Sequence, residues 1–264
     1  MTTDATVPED LRDDTGPFDI VGDVHGCGDE LEILLARLGY VLVRHDRGPA
    51  GREFTVSHPE GRRLVFVGDL VDRGPRVVDS ILVAMAAVRA GGHCVPGNHD
   101  DRLRRWIGGS EVSMVQGIDA SIADMAAVPD PQAFADLVAG FFAGLPSYLW
   151  LDGGRLCVAH ASMRGDLLGL TGKAVRQHCV FGEHDTGSGT RVRVDWAAAY
   201  GGEAEVVWGH TPTLAPEWRN RTLCIDTGCC FGGSLTALRW PERELVSVRA
   251  ARAHATREGF DPFV

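Results

Sequence analysis

Three short apolar runs near the start of the chain each end in glycine and then in residues able to hold a metal ion. Phe18–Val21 runs into Gly22-Asp23-Val24-His25-Gly26. Leu64–Val67 runs into Gly68-Asp69-Leu70-Val71-Asp72-Arg73-Gly74. The third run, His93-Cys94-Val95-Pro96, leads to Gly97-Asn98-His99-Asp100. Such runs fit buried strands. Helical patterns follow the first two loops: Leu31, Leu34, Leu35 and Leu38 share a face and Gly39 closes it, while 76–90 is apolar and stops at Gly91-Gly92. A strand–loop–helix unit used repeatedly predicts a parallel α/β sheet, in which ligands bind beyond the carboxyl ends of the strands.

The rhythm then changes. Residues 101–145 read as a helical insertion broken at Gly108-Gly109 and Pro129-Asp130-Pro131. Short strands are expected at Tyr148–Leu151, Arg155–Ala159, Glu205–Trp208, Thr222–Ile225, Leu235–Trp240 and Glu244–Val248, forming a second mixed sheet packed on the first. Val41–Ser57 turns around Gly48-Pro49-Ala50-Gly51 and predicts a hairpin. The expected fold is therefore α/β: two mixed β-sheets packed as a central sandwich, flanked by helices and carrying a helical insertion. Residues 1–16 are expected as a disordered leader, 17–250 as a single domain and 251–264 as a tail.

The polar residues at the strand ends are Asp23, His25, Asp69, Asn98, His160 and His210. Taken singly, Asn98 beside Gly97 reads as a turn residue, and a lone His160 or His210 as a core or surface histidine. Their joint placement after apolar strands points instead to a two-metal site, which can clamp both the attacking and the leaving oxygen of an in-line displacement. Two carboxylates, three imidazoles and an amide suit two divalent ions, Mn²⁺ first and Fe or Zn²⁺ as alternatives, better than oxygen-seeking Mg²⁺. The formal net charge of −10 gives no global basic footprint for nucleic acid. The seven cysteines include no C-x-x-C pair, which argues against a disulfide framework and for a reducing compartment. The N-terminus has no basic and apolar signal pattern, and the longest apolar run, Ile81–Val88, is too short to span a bilayer. A cytoplasmic protein with no membrane partner is expected.

The three loops resemble the signature of calcineurin-like metallophosphoesterases, in the phosphoprotein-phosphatase branch. Four later stretches are similar to the phosphatase module of bacterial polynucleotide kinase-phosphatase, an RNA-repair family: Asp152–Leu156, Val158–Ala161, Val206–Pro212 and Cys224–Leu245. The resemblance implies that Asp23, His25 and Asp69 hold one ion, with Asp69 bridging to a second completed by Asn98, His160 and His210. It implies that Arg73 and Asn98 bind phosphate and that His99, polarised by Asp72, protonates the leaving oxygen. Arg164 is a second phosphate-binding candidate, and Asp226, after the strand Leu223–Ile225, a residue that orients a ligand or touches a metal. Arg102, Arg104 and Arg105 read as a solvated helix face. No G-x-x-x-x-G-K-[ST] loop is present, so any kinase or ligase partner would be a separate chain. The expected activity is a binuclear-metal phosphatase or phosphodiesterase acting on monoesters and 2′,3′-cyclic phosphates at RNA termini. The alternatives are a Ser/Thr phosphoprotein phosphatase, a diadenosine tetraphosphate hydrolase, and an RNA-end-binding subunit of a repair complex.

Overall fold

The computed structural model describes residues 10–185 and 192–262. Its elements are β1 (Asp10–Leu11), β2 (Phe18–Val21), α1 (Gly28–Leu38), β3 (Val41–His45), β4 (Glu53–Ser57), β5 (Arg63–Phe66), α2 (Val77–Arg89), β6 (His93–Cys94), α3 (Asn98–Ile107), α4 (Ile118–Ala126) and α5 (Pro131–Ala143). The second half contributes β7 (Tyr148–Leu151), β8 (Leu156–Ala159), α6 (Lys173–Phe181), β9 (His184–Asp185), β10 (Val192–Arg193), α7 (Trp196–Ala199), β11 (Glu205–Trp208), β12 (Trp218–Arg219), β13 (Thr222–Cys224), β14 (Ser234–Trp240) and β15 (Glu244–Arg249).

Two mixed sheets form the expected sandwich, in the orders β15-β14-β2-β5-β6 and β1-β7-β8-β11-β13-β12. The runs that end in site residues lie side by side: β2, β5 and β6 are parallel in the first sheet, β8 and β11 in the second. Their carboxyl ends therefore open on one edge. β2 is continuously apolar apart from Asp19 because both its faces are covered. Ile20 packs in the inter-sheet layer with Val65, Val158, Val207 and Leu238, while Val21 packs with the helices on the other side. α2 is buried at every residue from Val77 to Ala87, so it is an inner helix without a polar face over that stretch.

Three differences from the sequence reading have physical causes. The strands expected at 235–240 and 244–248 belong to the first sheet, not the second: β14 pairs antiparallel with β2, Ala237 opposite Val21 and Trp240 opposite Phe18. Burial along a strand reports that it is covered, not which strand it pairs with. The leader expected over 1–16 is ordered in its last part, since Asp10 and Leu11 pair in parallel with Trp150 and Leu151; residues 1–9 lie outside the described residues. The tail is also anchored at Phe260, whose ring lies 5.9 Å from that of Phe231, and by the His254 and Ala255 amides, which donate to the Cys230 carbonyl. The hairpin β3–β4 forms with Val41 opposite Ser57.

The closing strand is locked by charge. Asp19 is fully buried on β2, and the buried Arg62 guanidinium lies 2.9 Å from its carboxylate. Arg62 also reaches the Phe18 and Trp240 carbonyls and Glu242. Removing one partner of a buried pair leaves an uncompensated charge. Arg62→Ala is expected to cost about 3 kcal/mol or more of unfolding free energy in urea titration; a cost below about 1 kcal/mol would show that Arg239 and Tyr40, the other partners of Asp19, suffice without it.

Candidate active site

Each predicted ligand follows its strand by one to four residues, and all six meet at the shared edge. Asp69 is the centre. Its Oδ2 lies 3.4 Å from His25 Nε2 and its Oδ1 lies 3.5 Å from His160 Nε2. Asn98 Oδ1 lies 2.7 Å from His210 Nδ1 and 3.2 Å from His160 Nε2. The donors form two groups that share Asp69: His25, Asp69 and His99 on one side, Asp69, His160 and His210 on the other. Asp23 approaches from behind His210, accepting the His210 amide on Oδ2 at 2.9 Å.

The backbone is built for this convergence. His25, Asp69, Asp72, Arg73 and His210 all have positive φ, between 45° and 74°. Such conformations cost about 1–3 kcal/mol each and persist where surrounding structure over-determines them. Two glycines make room for the carboxylates. A Cβ on Gly97 would lie 2.0 Å from Asp69 Oδ1, and one on Gly209 would lie 1.9 Å from Asp23 Oδ1. Asp100, wholly buried, ties two loops together by accepting the Leu70 amide on one oxygen and the Gly97 amide on the other. Asn98 and His99 open α3, so the positive end of that helix faces the cluster.

The donor chemistry fits a pair of divalent cations. The Val67 and Val71 carbonyls accept from Nδ1 of His160 (2.9 Å) and His25 (2.7 Å). Each ring therefore presents its other nitrogen, with its lone pair, to the cluster. Acceptors thus face acceptors: the Nε2 lone pairs of His25 and His160 face the two carboxylate oxygens of Asp69, and the Asn98 amide oxygen lies beside His160. Asp23 Oδ1 is buried with no hydrogen-bond partner among the described residues. Burial, then the charges of Asp226 and Asp69, push the Asp23 carboxyl well above the usual range. Burial likewise raises Asp69 to about 7 and holds His160 down at about 4. Mutually repelling carboxylates and neutral imidazoles are the arrangement a bound cation would relieve.

The other predicted residues divide. His99 Nδ1 lies 2.5 Å from Asp72 Oδ2, and His99 Nε2 accepts from Arg73 at 3.0 Å. Arg73 also reaches His25 Nε2, and its guanidinium lies over the Phe231 ring at 4.9 Å. Asp226 is buried behind Asp23, with the Gly228 amide donating to its Oδ1. Arg164 does not join them. Half exposed, it pairs with Asp166 at 2.6 Å and faces the cleft lined by Trp150 and Tyr200; an acid two residues on outcompetes a site it does not reach.

Three contributors escaped the sequence reading. Arg193, on β10, donates to His210 Nε2 at 2.9 Å and to Thr211. Ser121, on α4, donates to Asp72 Oδ1 at 2.6 Å and accepts the Asp72 amide. Arg102 is no solvated helix residue: it is mostly buried and pairs with Asp72 Oδ2. Its position one helical turn after His99 was a usable signal; nothing local pointed to Ser121 or Arg193.

An α/β sandwich with a paired nitrogen-and-oxygen donor cluster at its strand ends defines a metal-dependent phosphoric ester hydrolase. The profile described as calcineurin-like phosphoesterase matches residues 16–243, and the chain belongs to that family, whose members use a dinuclear metal centre. It is 42% identical over 243 residues to the asymmetrical bis(5′-nucleosyl)-tetraphosphatase PrpE of Geobacillus thermodenitrificans, covering 90% of this chain and 96% of that protein. The corresponding protein of Bacillus subtilis is 39% identical over 238 residues, covering 88% and 93%. Among solved structures, a candidate diadenosine tetraphosphatase superposes with a TM-score of 0.65 at 23% identity, covering 91% of this chain and 96% of that one. A cold-active protein-tyrosine phosphatase from Shewanella gives 0.57 at 16% identity, covering 93% and 81%. These two structures bear on the fold alone. Among the described residues no helix is long and apolar enough to cross a membrane.

Proposed function

We propose that this chain hydrolyses bis(5′-nucleosyl) tetraphosphates asymmetrically, giving a nucleoside triphosphate and a nucleoside monophosphate. The carrying observation is a second guanidinium. Arg73 lies against His25 and His99 on one side of the cluster, and Arg193 lies against His210 on the other. Each guanidinium offers a planar fork of donors suited to phosphate oxygens, so the two together provide donors for more than one phosphate of a polyphosphate chain. The near-full-length relatives at about 40% identity support the same reading. They favour the diadenosine tetraphosphate alternative over the RNA terminus.

Asp23, His25 and Asp69 would hold one divalent ion, and Asn98, His160 and His210, with Asp69 shared, the other. When bound, the pair supplies charge neutralisation on phosphoryl oxygens and a water of lowered pKa. Arg73 binds the scissile phosphate through its planar fork. His99 Nε2 is aimed at the leaving oxygen because Asp72 grips Nδ1, and Ser121 and Arg102 hold Asp72 in turn. Burial and Arg73 keep His99 neutral in this structure. Once Arg73 turns to an anionic substrate, Asp72 and the phosphate together favour the protonated ring, which can then donate.

The test is a panel with Mn²⁺: diadenosine tetraphosphate, RNA 3′-phosphate, RNA 2′,3′-cyclic phosphate and a phosphopeptide, with products separated by ion-exchange chromatography. ATP with AMP as the products of the fastest substrate supports the proposal. Two ADP, or faster turnover of an RNA end or phosphopeptide, overturns it. Arg193→Ala is expected to lower kcat/KM for the tetraphosphate about 10- to 100-fold, the worth of a charge-assisted contact, and to change that for a simple aryl phosphate far less. Equal losses on both substrates would place Arg193 in support of His210 rather than on the polyphosphate.

A further inference from the structure

Immediately behind the metal loop, Cys27, Glu30 and Cys229 bring two thiols and a carboxylate together. Their donor atoms lie within 4.8 Å of one another, and all three residues are at least 96% buried. Cys27 precedes α1, Glu30 stands in its first turn, and Cys229 follows the Asp226 loop. Hydrophobic packing accounts for the thiols but not for the carboxylate. Among the described residues Glu30 accepts one hydrogen bond, from the Ala251 amide at 3.0 Å, and forms no ion pair. Its charge reaches His254 through space, but no cation contacts it, and a buried carboxylate without a contacting counter-charge is costly. The neighbouring Cys230 is turned elsewhere, its Sγ 3.7 Å from the Arg73 guanidinium.

We infer that Cys27, Glu30 and Cys229 form a third metal site, separate from the dinuclear centre and selective for a thiophilic divalent ion, Zn²⁺ by preference. Zinc takes cysteine sulfur and carboxylate oxygen in a small tetrahedral set, and thiolates discriminate against Mg²⁺ and Mn²⁺. On binding, two S–H bonds break and their protons pass to solvent. Two Zn–S bonds and one Zn–O bond form; the two thiolates offset the charge of the zinc, so the site keeps the single negative charge of Glu30, whose carboxylate gains a direct bond to a cation. The ion would tie the loop that carries Asp23 and His25 to the loop that carries Asp226. The inference does not depend on which phosphoester is cleaved.

Sulfur makes the site separately visible, because the six ligands proposed for the dinuclear centre contain none. The full-length chain, stripped of metal under reducing conditions and titrated with Co²⁺, is expected to show a near-ultraviolet sulfur-to-cobalt charge-transfer band. The Cys27→Ser/Cys229→Ser double variant should lose that band and one bound equivalent, with the rest of its metal retained. Absence of the band in the unsubstituted chain, or its persistence in the double variant, overturns the inference. Should the serine pair fail to fold, X-ray absorption at the zinc edge of the unsubstituted, zinc-loaded chain decides it. A Zn–S shell is expected; scattering from nitrogen and oxygen alone is the overturning result.

Discussion

Asp69→Ala is expected to remove bound metal and turnover together. Asp69 is the only residue that belongs to both donor groups, and its two oxygens face different histidines, His25 and His160. Its Oδ1 also accepts the His99 amide at 3.0 Å, so its loss loosens the start of α3 as well. Metal-assisted stabilisation is worth several kcal/mol, and each 1.36 kcal/mol is tenfold in rate. Activity on any substrate should therefore fall by about 10³-fold or more. Elemental analysis should find less than half the metal of the unsubstituted chain, and added Mn²⁺ should not restore the rate. A variant that keeps its metal and a tenth of its activity would mean that Asp69 is not shared between two ions. Gly97 guards the same carboxylate from the other side, since any Cβ there would occupy its oxygen's position.

His99→Ala is expected to separate proton transfer from metal binding. His99 is one of the three donors of the first group, yet its Nδ1 is committed to Asp72, which three partners hold: His99, Arg102 and, through both the side chain and the amide of Asp72, Ser121. A histidine so oriented suits an acid that serves the leaving oxygen. Its removal should cost about 10²- to 10⁴-fold on the nucleotide substrate, the range of general acid catalysis, with metal content unchanged. An aryl phosphate whose phenolate leaves without a proton should lose much less. Equal losses on both substrates, or loss of one metal equivalent, would assign His99 to metal binding instead. Ser121→Ala, which leaves His99 in place, should show the same leaving-group pattern at smaller amplitude.

Asp23, His25, Asp69, Asn98, His160 and His210 were legible from the sequence for a simple reason. Each follows an apolar run closely, and a strand of that kind can only deliver the next few residues to the sheet edge. Parallel neighbours put those edges together, so local pattern carried long-range information. The same reasoning failed where two distant segments had to choose each other. β14 is mostly buried, as β7 and β8 of the second sheet are, and only the pairing of Ala237 with Val21 assigns it to the first. Arg164 and Arg193 look alike in sequence, 4 residues after His160 and 17 before His210; the course of the chain turns one toward Asp166 and the other toward His210.

The sequence alone therefore determined the α/β class, the order of the loops and which polar residues gather at the strand ends, because those follow from periodicity and from the residues after each strand. The tertiary structure decided which guanidinium reaches the cluster, how Ser121 and Arg102 brace Asp72, and that Glu30 is buried between two thiols. The contacts of Arg102 and Ser121 with Asp72 and of Glu30 with Cys229 join residues 30 to 199 positions apart, and that of Arg193 with His210 spans 17; side-chain chemistry at such range is set by sheet order and helix packing, which no local pattern encodes.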